Sequence, residues 1–394
     1  VDEFQDTNTI QYAWLRVLAG KDIPVVAVGD DDHSIYCWRG AKIENIQRFG
    51  DDFKSTRTVR LEQNYRSTQT ILQAANGVIA FNFGRLGKEL WTAGEQGEPI
   101  TLYAGFNEHD EARFIVEQIE QWVSNGNNRA STAILYRSNA QSRVLEEALI
   151  RGGIPYRIYG GQRFYERLEI RNALAYLRLL QSRGDDAAVE RVINTPPRGI
   201  GSKTLDVVRS CARSREISLW QAIETVIADK LLPARALSAL EGFQVLINEL
   251  DSGTDDLAQE ELVEHIIQHA GLIDFHQKEK GEKGQARVEN LEELVSAAKQ
   301  FVADEAEDAS PLQQFLDNAA LDAGDAQADE HEDSVQLMTL HSAKGLEFPL
   351  VFLVGMEEKL CRHRMSIEEP GRLEEERRLC YVGITRAMEQ LVIT

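Results

Sequence analysis

The chain has 394 residues, of which 43% are hydrophobic and 27% are charged, and its formal net charge is −21 at pH 7. This length is enough to bury a large core and exceeds one typical domain, so two or three domains are expected. The acidic balance argues against a protein that coats nucleic acid nonspecifically, and the lack of a membrane-length apolar run or a signal peptide predicts a cytoplasmic protein without a membrane partner.

The predicted elements of the first 160 residues alternate between helix and strand. Residues 8–19 carry apolar side chains at helical spacing, and residues 25–30 form a β-branched run that predicts a buried parallel strand. Further strands are predicted at residues 100–104, 133–136, 156–159, 335–340 and 350–354, and helices at residues 111–122 and 142–150. This alternation indicates an α/β fold, a parallel sheet with helices on both faces.

The middle of the chain, from about residue 164 to residue 320, has an almost entirely helical pattern. Helical periodicity is present at residues 167–180, 205–212, 219–228, 234–250, 260–270 and 288–302. Strand-like segments resume at residue 335, so the simplest interpretation is an inserted helical domain. The acidic residues 323–334 and the charged run 277–285 are interpreted as solvated linkers.

The first residues that suit chemistry are Asp2 and Glu3, two adjacent carboxylates. Such a pair suits nucleotide hydrolysis, because one carboxylate can hold Mg²⁺ while the other orients or deprotonates the attacking water. Taken alone the pair is weak evidence, since short acidic runs are usually solvated loops.

A loop at residues 29–40 combines acidic residues, a histidine, two aromatic residues and an arginine. Tyr36 and Trp38 beside Arg39 suit stacking on single-stranded bases. Packing of both aromatic side chains in the core is an equally open alternative.

Three further segments combine polar and charged groups: residues 61–67, 339–348 and 374–387. In the first of these, Tyr65 could stack on an adenine while Arg66 reaches a phosphate. In the last, Arg386 beside a threonine is a candidate arginine finger, although a single arginine is more often part of a surface ion pair.

These five elements, in this order, resemble motifs II, III, IV, V and VI of superfamily 1 helicases of the UvrD/Rep/PcrA type. The resemblance extends through connecting segments such as residues 133–143, covers essentially the whole chain and looks strongest to the bacterial UvrD type. It implies an ATP- and Mg²⁺-dependent 3′–5′ translocase and DNA helicase in DNA repair, acting on single-stranded DNA and on junctions with duplex DNA. It also implies a nucleoid-associated monomer or weak dimer, with repair proteins as further partners.

The resemblance implies a role for each matched residue. Asp2 would hold Mg²⁺, Glu3 would activate the water, and Arg66 and Arg386 would stabilise charge on the γ-phosphate. The remaining nucleotide contacts would come from Tyr65 on the adenine, from Glu347 on the ribose and from Gly345. The implied contacts to single-stranded DNA come from Tyr36, Trp38, Arg39, Arg137, Asn139 and His341.

The implied architecture is a pair of RecA-like motor lobes of the P-loop NTPase type with a helical insertion. Its expected parts are the end of the first lobe at residues 1–60, the second lobe at residues 61–160 and 333–394, and the inserted domain at residues 161–332. The sequence contains no GxxxxGK[ST] phosphate loop. The chain is therefore expected to be a fragment that has negligible ATPase activity alone.

Residues 199–204 (GIGSKT) look like half a phosphate loop but have the wrong spacing. A glycine turn that opens a helix at Lys203 is the better interpretation. Its backbone N–H groups could hold a DNA phosphate, as the resemblance implies for the inserted domain, while a purely structural turn is the alternative. The residues assigned to this contact are Gly199, Gly201, Lys203 and Thr204.

Two departures from the family pattern concern His33 and residues 359–362. The family usually has a glutamine at the position of His33, where it senses the γ-phosphate, so coupling is expected to be weaker or pH-dependent here. The second departure leaves the conformation of that loop open. Two other functions stay open: a non-catalytic DNA-binding module, against which the paired acids and arginines argue, and the motor of a recombination helicase–nuclease.

Overall fold

The computed structural model describes residues 1–20, 23–53, 56–254, 256–279, 281–304, 306–324, 328, 332–357 and 371–394. The unusual loop at residues 359–362 lies outside these ranges. The chain divides into two compact units, the sheet unit (residues 1–161 and 327–394) and the helical unit (residues 162–326).

The sheet unit begins with a helix whose start is specified locally. The helix α1 (Thr9–Ala19) follows a capping box, in which the Asn8 side chain accepts from the Gln11 backbone N–H and the Gln11 side chain accepts from the Asn8 backbone N–H. The elements that follow, up to residue 161, are α2 (Glu44–Asp52), α3 (Gln69–Ile79), β1 (Thr101–Leu102), α4 (Glu108–Ser124), β2 (Thr132–Tyr136), α5 (Ser142–Arg151) and β3 (Tyr156–Ile158).

The helical unit has a core of its own, built from residues between Phe164 and Ala319. Its helices are α6 (Leu168–Gln181), α7 (Asp186–Val192), α8 (Ser202–Arg215), α9 (Leu219–Ala228), α10 (Ala234–Asp251), α11 (Gln259–His269), α12 (Leu272–Gln277), α13 (Glu282–Gln300) and α14 (Pro311–Gly324). All six predicted helices are confirmed, and the helices that were not predicted are α7, α12 and α14. Of these, α7 and α12 have seven and six residues, too few for a periodic pattern to stand out. Within the described residues, no helix combines the length and apolar character that crossing a membrane requires.

The chain then returns to the sheet unit and completes its sheet. The returning elements are β4 (Val335–Thr339), β5 (Phe348–Leu353), α15 (Arg372–Ile384) and β6 (Ala387–Ile393). The strand order is β1-β6-β5-β2-β4-β3, and every neighbouring pair is parallel. The central strand β2 therefore lies between two strands that come from the far side of the insertion.

Both faces of the sheet are covered by helices, which confirms the predicted α/β class. Along β2, Ile134 and Tyr136 pack with apolar residues of α4 and α5, whereas Ala133 and Leu135 pack with residues of α3 and α15 on the other face. This alternation follows from the two-residue repeat of a strand, and a strand buried on both faces reads as a continuous apolar run.

The predicted burial of a strand at residues 25–30 is wrong. The segment is extended and is hydrogen-bonded to the start of the chain, with Val28 N–H donating to the Val1 carbonyl (2.8 Å) and Phe4 N–H donating to the Val28 carbonyl (2.9 Å). Val26 and Val28 are nevertheless 73% and 54% exposed, because no other described segment packs over them.

Candidate functional site

Asp2 and Glu3 lie at a tight turn in front of Phe4. Glu3 has a left-handed backbone conformation with φ 48°, and its N–H donates to Oδ1 of Asp2 at 2.9 Å. The Gln5 side chain, which is 1% exposed, donates to Oε2 of Glu3 at 2.6 Å. A buried amide therefore orients the Glu3 carboxylate, which itself stays open to solvent.

Lys344 joins this acidic turn to a segment 338 residues away in the chain. Its Nζ lies 2.6 Å from Oδ2 of Asp6 and 3.1 Å from Oε2 of Glu3, and it donates to the His33 carbonyl at 3.1 Å. Burial raises the pKa of the Asp6 carboxyl, and the hydrogen bond and charge of Lys344 oppose that rise. One ammonium group thus connects residues from three of the predicted motifs.

Two basic side chains fix the acidic loop of residues 30–32. Arg85 binds Asp32 through two hydrogen bonds, from Nε to Oδ1 (2.7 Å) and from Nη2 to Oδ2 (2.6 Å), and Lys88 forms an ion pair with Asp30. We call Arg85 and Lys88 the basic clamp. The three aspartates lie close enough together to suit a metal ion, but the clamp supplies positive charge to two of them.

His33 lies at the end of this loop, and one of its two ring nitrogens contacts a carboxylate. Its Nδ1 lies 2.7 Å from Oδ2 of Asp30, and its ring centroid is 5.5 Å from that of Tyr381. The other ring nitrogen, Nε2, is buried and has no hydrogen-bond partner within the part of the chain that the structure describes. Burial alone would raise the pKa of Asp30, but the hydrogen bond from His33 and the charges of His33 and Lys88 hold it well below its ordinary value.

Arg386 lies just after α15 and is 3% exposed. Burial, and then the positive charge of Arg66, lower the pKa of its guanidinium to about 10. Its hydrogen bonds within the described residues go to neutral oxygens: the carbonyls of Val382 (2.9 Å) and Leu346 (3.0 Å) and Oγ1 of Thr385 (3.1 Å). Among the described residues, Arg386 is thus a buried cation that has no hydrogen-bonded carboxylate.

Arg66 approaches the same region from the start of the second predicted lobe. Its Nε donates to Oε2 of Glu347 at 2.5 Å, and its Nη1 donates to the Thr385 carbonyl at 3.3 Å. The preceding Tyr65 is 85% exposed, so one aromatic face is free for a planar ligand. Gly345, two residues before Glu347, has φ +88°, a conformation that favours glycine. The structure therefore places the predicted nucleotide contacts of the second lobe around Arg66.

Tyr36, Trp38, Arg39 and His341 form an aromatic cluster. The guanidinium carbon of Arg39 lies 4.9 Å from the Tyr36 ring centroid and 4.5 Å from that of Trp38. Tyr36 also donates its hydroxyl to the His341 carbonyl at 3.2 Å, and Trp38 is 40% exposed. The core alternative for Trp38 is therefore wrong, and the cluster combines ring faces with a cation, as single-strand binding surfaces do.

His341 is kept neutral by its surroundings. Burial, together with the positive charges of Arg137 and Arg39, lowers the pKa of its imidazole to about 3. Arg137 is fixed by two 3.0 Å hydrogen bonds to Glu376, and Asn139 lies in the short turn after β2. The histidine thus offers an uncharged ring at neutral pH.

The glycine turn of the helical unit precedes α8 as predicted, although the helix begins at Ser202, one residue early. Gly199 has φ +79°, and Gly201 is the N-cap residue, where no side chain caps the helix. The Asn194 side chain accepts from Ile200 N–H at 3.2 Å and so stiffens the turn. Lys203 is exposed and Thr204 is 8% exposed.

Four residues of the site carried no predicted role: Gln5, Lys344, Arg85 and Lys88. Gln5 lies two residues from its partner Glu3, so that contact is local in the sequence, whereas Lys344 lies 338 residues from its partner Asp6. The basic clamp lies between motifs, and its partners are more than 50 residues away in the chain. No local pattern marks it.

Comparison with known families covers nearly the whole chain. The family model described as UvrD/REP helicase N-terminal domain matches residues 1–54, and the model described as UvrD-like helicase C-terminal domain matches residues 59–394. The chain belongs to the UvrD-like helicase family. The resemblance stated from the motifs is therefore confirmed.

Relatives in the UvrD-like family have helicase names. The chain is 61% identical to DNA helicase II of Escherichia coli, 58% identical to DNA helicase II of Haemophilus influenzae and 44% identical to the ATP-dependent DNA helicase PcrA of Bacillus subtilis. Each comparison covers 100% of this chain but only 55%, 54% and 54% of the relative. The chain thus spans about half the length of these UvrD-like relatives.

Proposed function

We propose that this chain is the hydrolysis and coupling part of an ATP-dependent DNA helicase that moves 3′ to 5′ along single-stranded DNA in DNA repair. The observation that carries the proposal is the buried guanidinium of Arg386, whose hydrogen bonds within the described residues go to neutral oxygens. A buried cation without a paired carboxylate costs free energy that an incoming anion would offset. The γ-phosphate of ATP would be that anion, and the helicase names of the relatives support this assignment.

Asp2 and Glu3 are proposed to act on the phosphate chain from the other side. Oδ1 of Asp2 accepts a hydrogen bond from the Glu3 N–H. The Asp2 carboxylate would still be able to bind Mg²⁺. A single protein carboxylate suits this ion, because Mg²⁺ takes most of its ligands from water and substrate phosphates. When bound, it would neutralise charge on the phosphates. Glu3, oriented by Gln5, would position the attacking water and accept its proton.

The remaining nucleotide contacts are proposed for the second lobe. Tyr65 would stack its exposed ring on the adenine, and Glu347 would bind the ribose beside Gly345. Because Glu347 pairs with Arg66 in this structure, ribose binding would also release that arginine toward the phosphate.

DNA contacts are proposed for both units. The aromatic cluster would stack on single-stranded bases, while Arg137 and Asn139 would contact the backbone beside it. In the helical unit the uncapped start of α8 would hold a phosphate of duplex DNA. The residues proposed for that contact are Gly199, Gly201, Lys203 and Thr204.

The proposed architecture assigns residues 1–60 to the first motor lobe, residues 61–160 and 333–394 to the second, and residues 161–332 to the insertion. ATP would draw the lobes together through Arg66 and Arg386, and hydrolysis would release them. The DNA-binding surfaces of the two lobes would then shift relative to one another. We further propose that the whole protein works at the bacterial nucleoid, in the cytoplasm, as a monomer or weak dimer with repair proteins as partners.

The test is the ATPase activity of the complete protein with and without single-stranded DNA. We expect stimulation of about tenfold or more, and a loss of about 10²–10³-fold in Glu3→Gln, because the water would lose its base. Glu44→Gln, which changes an exposed acid of α2, is the matched control. The 394-residue polypeptide alone is expected to show only background turnover, since its sequence has no phosphate loop.

Two outcomes would contradict the proposal. Full turnover in Glu3→Gln would remove Glu3 from its role, and DNA binding without any turnover by the complete protein would favour the non-catalytic binding module. Unwinding of partial duplexes with a 3′ or a 5′ single-stranded tail tests the polarity: only the 3′-tailed substrate is expected to open.

A further inference from the structure

Two adjacent carboxylates near the start of α15 are withdrawn from solvent. Glu376 is 9% exposed, and Glu375 is half-buried. Burial raises the pKa of the Glu375 carboxyl, a hydrogen bond from the Cys37 N–H opposes this rise, and the charge of Glu376 adds to it. Neighbouring acids in such surroundings cost free energy unless each has a partner.

The partner of Glu376 is Arg137, which follows β2. Nε and Nη2 of Arg137 donate to the two carboxylate oxygens of Glu376, each at 3.0 Å. A pairing at two points fixes both the direction and the plane of a guanidinium. After burial, the charge of Arg137 is the largest influence that lowers the pKa of His341, so the fixed guanidinium lies close to the aromatic cluster.

The partner of Glu375 is the backbone of the aromatic cluster itself. Its Oε1 accepts a hydrogen bond from the Cys37 N–H at 3.2 Å. Cys37 lies in the chain between Tyr36 and Trp38, whose ring centroids are 6.3 Å apart. A hydrogen bond to the backbone between the two residues restricts the movement of both rings.

We propose that Glu376 and Glu375 are positioning residues for single-stranded DNA: Glu376 orients the Arg137 guanidinium toward the DNA backbone, and Glu375 holds the aromatic cluster at Cys37. This inference rests on the proposed DNA-binding surface. In the proposed architecture residues 36–39 belong to the first lobe, whereas Arg137 and α15 belong to the second. The start of α15 would therefore set the spacing between the two parts of that surface.

Direct contact with DNA would not explain two carboxylates at this place. A carboxylate repels a phosphate, so the acids weaken binding through their own charge. Their favourable contribution has to come through the groups that they hold, because a side chain already fixed in its binding geometry loses less entropy when the DNA arrives.

The first test measures the affinity of the complete protein for a fluorescently labelled oligothymidylate without nucleotide. Glu376→Asp keeps the charge but shortens the side chain, so the carboxylate should no longer reach both nitrogens of Arg137. Binding is expected to weaken by about three- to tenfold, as for one lost hydrogen bond to a charged group. Glu376→Gln keeps the side-chain length and one acceptor oxygen and should weaken binding less. Glu389→Asp, at an exposed acid of β6, is the matched control and should bind as the native protein does.

The second test asks whether Glu376 acts through Arg137. In an Arg137→Ala background, Glu376→Asp should cause no further loss of affinity, because the side chain that it positions is gone. A role confined to the stability of α15 would instead give the same loss in both backgrounds. In the ATPase assay, positioning should raise the DNA concentration for half-maximal stimulation more than it lowers the maximal rate.

The third test concerns Glu375. Glu375→Ala removes the acceptor for the Cys37 N–H, so binding should weaken by about threefold. Glu375→Gln can still accept that hydrogen bond and should restore most of the affinity. Equal affinities of the alanine and glutamine variants would contradict the role of Glu375.

The outcomes separate this inference from the proposed function. Native affinity in Glu376→Asp, or an equal loss with and without Arg137, overturns the role of Glu376 even if the complete protein is an active, DNA-stimulated ATPase. A complete protein that binds no single-stranded DNA overturns the proposed function instead. Should Glu376→Asp fail to fold, the comparison of Glu376→Gln in the native and Arg137→Ala backgrounds decides.

Discussion

His341 illustrates how a single side chain in the site is held in one protonation state. It lies beside Tyr36 and Trp38, with ring centroids 6.2 and 6.4 Å apart, and it faces the positive charges of Arg137 and Arg39. A neutral ring in this place adds nothing to the repulsion between those arginines. Its chemistry therefore comes from its neighbours rather than from its own residue type.

The same histidine should make stability depend on pH. Its pKa is about 3 in the folded chain, against about 6.5 in the unfolded chain, so its contribution is complete above about pH 6.5 and is lost as the pH falls toward 3. His341→Gln is expected to flatten the fall in unfolding free energy between about pH 7 and pH 5, measured by urea denaturation. His109→Gln, at an exposed histidine, should keep the slope of the native sequence; equal slopes in all three proteins would contradict the assignment.

At the scale of elements, α15 packs unusually close to the sheet at Gly383. A Cβ atom built there would lie 2.5 Å from Cδ2 of Leu340 and 2.8 Å from Cδ2 of Leu353, two residues that are 2% and 0% exposed. This close approach brings the end of α15, and Arg386 just beyond it, against the strands. Gly383 therefore allows α15 to pack closely on the sheet, and it also helps to determine where Arg386 lies.

Gly383→Ala is expected to destabilise the sheet unit by about 1–2 kcal/mol, because overpacking outweighs the gain in helix propensity. The matched control is Gly77→Ala in α3, where a Cβ atom would meet open space and the same substitution should stabilise by about 0.5–1 kcal/mol. Changes of opposite sign in the unfolding free energies of the two variants, measured by chemical denaturation, would support this account. A stabilised Gly383→Ala protein would show that the core near Leu340 relaxes freely.

The elements also show which features can be predicted from local sequence. Strand β2 and helix α9 match their predicted positions because an apolar run or a helical repeat is a local property. Burial at residues 25–30 failed as a prediction because it depends on which segments pack over Val26 and Val28. The basic clamp was not predicted for the same kind of reason. The role of Arg85 depends on its contact with Asp32, and no rule of sequence spacing predicts that contact.

At the scale of the whole molecule, the helical unit is one continuous piece of chain with a separate core. Among the residues that the structure describes, its buried cluster runs from Phe164 to Ala319 and includes no residue of the sheet unit. A contiguous segment with its own core meets the usual condition for independent folding. The sheet unit is built from two separated segments and has no such continuity.

Residues 162–326 expressed alone are therefore expected to fold into a helical protein with a single cooperative thermal transition, followed by circular dichroism. Residues 1–161 alone should not, because the central strand β2 would lack both of its neighbours, β4 and β5. A helical segment that melts without cooperativity, or a first segment that folds by itself, would contradict this division.

The interleaved strand order has a consequence during synthesis. When β2 leaves the ribosome, about 200 further residues must be translated before β4 and β5 exist to receive it. At about 5–20 residues per second this delay lasts roughly 10 to 40 seconds, during which a largely apolar strand lacks β4 and β5 while the helical unit can already form. During that interval β2 is exposed on the nascent chain and available to chaperones. Slower translation of the insertion would lengthen the exposure of β2.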